Sequence, residues 1–447
     1  MVTEPLVPMA RSRGLVAGLL TAELLCGWTL AAQTTGKTVR HHREAVVDQT
    51  SQELARAENA IEKKDYASAE PLLRKIVDSD PSDYQAWFDL GFVYNAQGKL
   101  EDSINAYRRS VTAKPDIFES NLNLGLMLAK ARQADAERYL RAATRLTPTD
   151  HAAEGRERAW LSLARVLENR KPQEALAAYR EAAALQPNDT EPHISAGLLL
   201  ERENDLNSAE KEYQQVLGLD PRSVEALSAL ANIYMRGKRL PEAENALRRV
   251  VVLRPQDGGI HVQLGRILAA SEKHDDAIAE LQAGLKLAPG DTAAERDLAD
   301  VYAAAGNYNQ AEALYRPLLA ATPNDAELHQ GLGQALMKQR KFPEAQQEFL
   351  QAVKLKPNDP AVYGDLAAVA NENKDYSLVI KALDARAKLA PETPPISHFF
   401  RATAYDHLRD YKQAAANYRL FLQAADGKFP DQEWQARHRL IAIEPKK

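Results

Sequence analysis

Four histidines are the first side chains in this sequence whose spacing suggests joint chemistry: His193, His261, His329 and His398. A metal ion or a proton relay would need their rings side by side. Each successive pair is separated by enough chain for four helices, and helix neighbours sit roughly 8–10 Å apart, so the four cannot share an ion. Other candidates are thinner still. Asp275-Asp276 is a carboxylate pair in a polar turn, where solvated charge is the plain reading. Gly331-Leu332-Gly333 belongs to a helical face and does not make the GxGxxG turn that cradles a phosphate. There is no HExxH and no nucleophile elbow, and the single cysteine, Cys26, excludes an internal disulfide framework and a cysteine-based zinc site. His41-His42 has no cysteine, and no carboxylate before Glu44, to complete a site. The expectation is a chain without catalytic residues, metal or cofactor, and not an enzyme.

What would position side chains here is a repeat. Pro187, Pro221, Pro255, Pro289, Pro323 and Pro357 recur every 34 residues. Between Pro221 and Pro255, Leu227, Leu230, Ala231 and Tyr234 fall at i, i+3, i+4 and i+7, and Ala243, Leu247 and Val250 at i, i+4 and i+7. At 3.6 residues per turn each set lies on one side of an α-helix. Gly237, between them, marks the turn. Two such helices cannot bury their apolar faces alone and are built to stack on copies of themselves.

Residues 84–117 carry Trp87, Leu90, Gly91 and Tyr94, then Ser103, Tyr107 and Pro115. This resembles the tetratricopeptide repeat, W-x2-L-G-x2-Y, A-x3-F and P over 34 residues. With that proline as position 32, position 8 is Ala57, Gly91, Gly125, Ala164, Gly197, Ala231, Gly265, Ala299, Gly333, Ala367 and Ala402. Position 20 is small in ten of the same eleven repeats, from Ala69 to Ala414, and Val379 in the tenth. Small residues are required because packed helices leave little room at their crossing. The resemblance implies an all-α, right-handed α-solenoid of about eleven helix-turn-helix repeats, beginning near residues 50, 84, 118, 157, 190, 224, 258, 292, 326, 360 and 395. Repeat four holds extra residues, His151 to Arg156, expected to extend a helix or form an added turn. The four histidines, at or near position 4, stand for the family's tryptophan. Residues 428–447 are expected to form a capping helix and tail, with Trp434 and Ile441 on one face.

In this family the first helix of each repeat lines an inner face that holds a peptide or a partner's helix. The resemblance therefore implies a binding strip at Phe88, Phe92, Leu122, Leu126, Leu161, Ile194 and Leu198, unless neighbouring first helices cover it. The lining then turns polar, through Arg165, Arg202, Asn232, Arg236 and Arg266. These arginines could grip an acidic segment, or simply be solvated. The implied function is a scaffold for a protein or peptide partner, in assembly or organisation of a cell envelope. A cytoplasmic co-chaperone-like adaptor and an accessory subunit of an envelope enzyme are the rivals.

Bulk composition agrees. A formal net charge of −5 makes nucleic acid an unexpected partner, and 6% aromatic residues suits helix-on-helix packing. At the start, Arg11 and Arg13 precede an apolar run from Gly14 to Ala32 broken by Glu23. Residues 1–32 therefore read as an export signal cut near Ala31-Ala32, or as a retained membrane anchor, and 33–49 as a linker. The expected location is periplasmic or secreted, touching a membrane only through that segment. Oligomeric state is open.

Overall fold

The computed structural model describes residues 49–390 and 394–443. The expected export segment, the linker as far as residue 48 and the last four residues lie outside them, and Gln49, expected to end the linker, begins the first helix. Among the described residues every regular element is a helix, and the fold is an all-α repeat solenoid. The described residues divide after Ile233 into two compact blocks.

The first block holds α1 (Gln49–Glu62), α2 (Tyr66–Ser79), α3 (Tyr84–Ala96), α4 (Leu100–Ala113), α5 (Phe118–Lys130), α6 (Ala136–Arg145), α7 (Ala152–Leu167), α8 (Pro172–Leu185), α9 (Glu191–Arg202) and α10 (Leu206–Leu219). Helix α11 (Val224–Arg236) straddles the boundary. The second block continues with α12 (Leu240–Leu253), α13 (Gly258–Ala270), α14 (His274–Leu287), α15 (Thr292–Ala304), α16 (Tyr308–Ala321), α17 (Ala326–Lys338) and α18 (Phe342–Leu355). It closes with α19 (Pro360–Glu372), α20 (Tyr376–Leu389), α21 (Pro395–His407), α22 (Tyr411–Ala425) and α23 (Pro430–Ile443).

Short sequence signals set the helix ends. Two residues after the repeat's proline comes an aspartate: Asp83, Asp257, Asp291, Asp325 and Asp359 each cap the following first helix by accepting from its free backbone N–H groups. Such a cap contributes about 1 kcal/mol. The turn inside each repeat depends on position 15. In ten repeats that residue has positive φ: Gly98 and Gly306, but also Lys64, Arg132, Asn204, Lys238, Glu272, Arg340, Lys374 and Arg409. The left-handed residue of the sixth repeat is thus Lys238, beside the glycine that the sequence marks.

Packing follows the small positions. A Cβ added to Gly333 would stand 2.9 Å from the Phe349 ring, and one on Gly265 would stand 2.7 Å from Leu281. Ser103 replaces alanine at position 20 and donates its hydroxyl to the Gly91 carbonyl at 2.8 Å, so the buried oxygen is satisfied. In the second block one core runs through Tyr315, Leu332, Phe349, Leu366 and Val379. Within each block helices touch mainly their sequence neighbours. The extra residues of repeat four lengthen α7 by a turn; Gly155 sits against Pro148 and Phe118, and Thr149 bonds Glu119 through N–H and hydroxyl at 2.8 and 2.6 Å.

Candidate partner-binding face

The predicted strip divides by its place in the repeat. At position 5, Phe88, Leu122 and Leu161 are buried, and Ile194 is half-buried. At position 9, Phe92 and Leu126 are half-buried, and Leu198 is 52% exposed. Phe88 packs edge-on against Tyr107 and joins the core with Leu124 and Leu128, while Leu126 lies along that core's border. Phe88, Leu122 and Leu161 are therefore core residues covered by neighbours, not an open groove. Only Leu198, bordered by Ile194, presents a substantial apolar surface.

The arginines are exposed but already engaged. Arg165 pairs with Glu191, and Arg202 with Glu168 at 3.3 Å, so both bridge α7 and α9. Arg266 reaches Asp297 at 2.5 Å, from α13 to α15. Arg296 continues the ladder to Asp325 and Glu327 at 3.1 and 2.6 Å, and Gln330 and Gln334 both donate to Asp365. Asn232 and Arg236 are exposed. Pairs of this exposure contribute about 0–1 kcal/mol each. They orient the first helices, and the acids answer the arginines, so Arg165, Arg202 and Arg266 do not form an open anion clamp.

His261 and His329 behave as tryptophan substitutes. Trp87 donates its indole N–H to the Pro81 carbonyl at 3.0 Å, and His261 and His329 place Nε2 3.2 and 3.0 Å from the carbonyls of Pro255 and Pro323. Their Nδ1 atoms face Glu280 and Glu348 at 2.6 Å, as His193 faces Glu212 at 2.7 Å. Nδ1 thereby ties His193, His261 and His329 to the second helix of their own repeats, while Nε2 ties His261 and His329 to the proline that closes the preceding repeat. Burial and the charge of Arg401 lower the pKa of His398.

Two features escaped the sequence reading. One is a recurring ion network: Glu70, Glu244 and Glu312 each take an arginine four residues on and a lysine from the next turn, Lys99, Lys273 or Lys341. The repetition of Glu at position 21 with Lys at position 16 is the signal that would have found it. For Glu312 these partners outweigh burial and hold the carboxyl down at about 2. The other is Glu157, buried at the start of α7 with Oε1 lacking a hydrogen-bond partner. Burial, followed by its hydrogen bond to Asp189 and the charges of Asp189 and Glu154, pushes its pKa up to about 8. A carboxyl raised in the folded state favours folding fully below its unfolded value near 4.5, and that contribution is lost as pH climbs to about 8. Glu157→Gln should therefore melt like the parent at pH 4 and at least about 2–4 °C higher at pH 8.5, the shift that about 1 kcal/mol produces in a domain of this size. Thermal scans at the two pH values check this.

Three tetratricopeptide-repeat models match the chain, at residues 54–116 and 93–151, at 200–264 and 268–335, and at 326–359. Together they cover more than half of it.

The chain belongs to the tetratricopeptide-repeat family.

A comparison with curated proteins found no match. Among solved structures, this tetratricopeptide-repeat chain is similar to YrrB, described as a TPR protein with an unusual peptide-binding site: 22% identity, TM-score 0.38, covering 41% of this chain and 94% of that one. MamA matches at 25% identity and TM-score 0.36, over 38% of this chain and 92% of MamA. The Cut9-Hcn1 hetero-tetramer of the APC/C matches at 14% identity and TM-score 0.41, over 89% of this chain and 97% of that one.

Proposed function

We propose that this protein is a non-enzymatic scaffold that holds a peptide or helix of a protein partner on its first-helix face. The observation that carries the reading is the surface around Leu198: an exposed apolar side chain set among two ion pairs, Arg165–Glu191 and Arg202–Glu168, that bridge adjacent first helices. These first helices are held by their buried faces, so they are ordered before a ligand arrives and binding does not have to pay for ordering them. The paired charges leave an apolar anchor as the main attraction, and the ligand is expected to contribute an apolar side chain there. Leu198→Glu should abolish capture of the partner recovered by cross-linked pull-down and mass spectrometry. Because Leu198 is exposed, the variant should melt within about 0.5 kcal/mol of the parent. Retained capture at full strength would place the contact elsewhere.

We further propose that the scaffold serves in a cell envelope after export. Support comes from Arg11, Arg13 and the apolar run Gly14 to Ala32. Fractionation with N-terminal sequencing tests it: a mature chain beginning near Gln33, or an uncut chain in the membrane fraction, agrees, and an uncut cytoplasmic chain does not.

A further inference from the structure

Aspartate stands directly before glycine twice in this chain, at Asp257-Gly258 and at Asp426-Gly427. That pairing sets an electrophile beside a nucleophile: the side-chain carboxyl carbon and the next backbone nitrogen can close into a small ring. Glycine has no Cβ to shield its nitrogen, and its backbone turns freely toward the attack. The two sites carry the same latent chemistry, and the fold holds them differently.

Asp257 is locked. Its Oδ1 accepts from the N–H groups of Gly259 and Ile260 at 3.1 and 3.4 Å, so the carboxylate is engaged in capping α13. Gly258 is buried in the first turn of that helix, where a Cβ would stand 2.9 Å from the Gly284 carbonyl oxygen. Turning this backbone would break the cap and drive it against α14.

Asp426 has no such ties. It follows the last residue of α22 with φ 47° and ψ 43°, a left-handed conformation that aspartate tolerates. Gly427 is left-handed as well, at φ 75°, and a Cβ there would meet nothing within 4 Å. Both residues are exposed. Among the described residues the Asp426 carboxylate and the Gly427 N–H make no hydrogen bond; the turn is spanned by a backbone bond from the Lys428 N–H to the Ala425 carbonyl at 3.0 Å. Attack needs ψ of Asp426 to rotate from 43°, swinging the Gly427 nitrogen round to the carboxyl carbon. That rotation meets no packed neighbour and breaks no cap.

We propose that Asp426 is a site of spontaneous isomerisation to isoaspartate. The Gly427 nitrogen bonds to the Asp426 carboxyl carbon, and the carboxyl hydroxyl leaves as water with the N–H proton, closing a succinimide. Water then adds back. At the former side-chain carbonyl it restores aspartate. At the main-chain carbonyl it breaks the original peptide bond and leaves Gly427 joined through the side-chain carbon. Water is released once and consumed once, and nothing is oxidised or reduced. The product has an extra carbon in the main chain between Ala425 and Phe429, both of which pack in the core that joins α22 to α23. Rebuilding a link pinned at both ends loosens α23, which Phe429, Ala436 and the Arg439–Asp406 pair hold in place.

The test is warm storage of the full chain at mildly acidic pH, with isoaspartate located by electron-transfer fragmentation of its peptides, which separates isomers of equal mass. Isoaspartate should build up at 426 several times faster than at 257, and amide hydrogen exchange in α23 should quicken with it. In the urea-unfolded chain the two sites should react at similar rates. Asp426→Glu, which would have to close a larger ring, should remove the product and leave α23 unchanged on storage. No isoaspartate at 426, an equal yield at 257 in the folded chain, or a site at 257 that stays slower when unfolded overturns the proposal. Exchange in α23 that does not follow the isomer overturns its structural consequence.

Discussion

Leu122→Glu is expected to unfold the start of the array and not simply to empty a binding surface. Leu122 is 0% exposed, on a helix whose Glu119, Ser120, Asn121 and Asn123 are buried as well. A carboxylate placed there would lose its hydration without gaining a partner, and removing an isolated charge from water costs several kcal/mol. The loss should exceed about 4 kcal/mol, a size seen only when a core is broken. Guanidinium unfolding followed by circular dichroism should show it as a large early transition. Leu198→Glu should show none, because that side chain already stands in water. Equal stability of the two variants would mean that position 5 is open after all.

Phe349→Ala should be nearly as damaging, in the other block. Phe349 is 0% exposed, and its ring fills the space that Gly333 leaves on the facing helix. Truncation opens a cavity that rigid neighbouring helices cannot close, at a cost of about 3–5 kcal/mol. Gly333→Ala should cost about 1–3 kcal/mol by overpacking the same contact from the other side. Combining Gly333→Ala with Phe349→Leu should cost less than the two separate losses added together, because the smaller side chain gives the new methyl room. Additivity would show that the two positions do not meet.

The sequence was informative where the physics is local and repeated. Position 8 had to be small because it meets position 24 within its own hairpin, and a 34-residue period states that requirement eleven times. His261 and His329 were legible for the same reason: at position 4 each imidazole, like the Trp87 indole, finds the carbonyl of the preceding proline. The binding face was less legible because its exposure depends on a neighbour. Leu122 and Leu198 are the same residue type on equivalent first helices, yet one sits at position 5 under the next helix and the other at position 9 beside ion pairs. The arginines misled for a similar reason. Arg202 looks like a free cation until Glu168, 34 residues earlier, is placed opposite it. Trp434 and Ile441 were correctly put on one face, but only the packing of Phe429, Ala436 and Leu440 decided that this face looks outward.

The eight left-handed lysine, arginine, asparagine and glutamate residues at the hairpin bends hold backbone torsions that cost an L-residue roughly 1–2 kcal/mol. Glycine relaxes that torsion in only two repeats, at Gly98 and Gly306. The protein therefore keeps an unspent margin of durability at its corners, all but Asn204 in repeats other than that of Leu198. Hardening it against heat and reshaping what it holds are separable tasks.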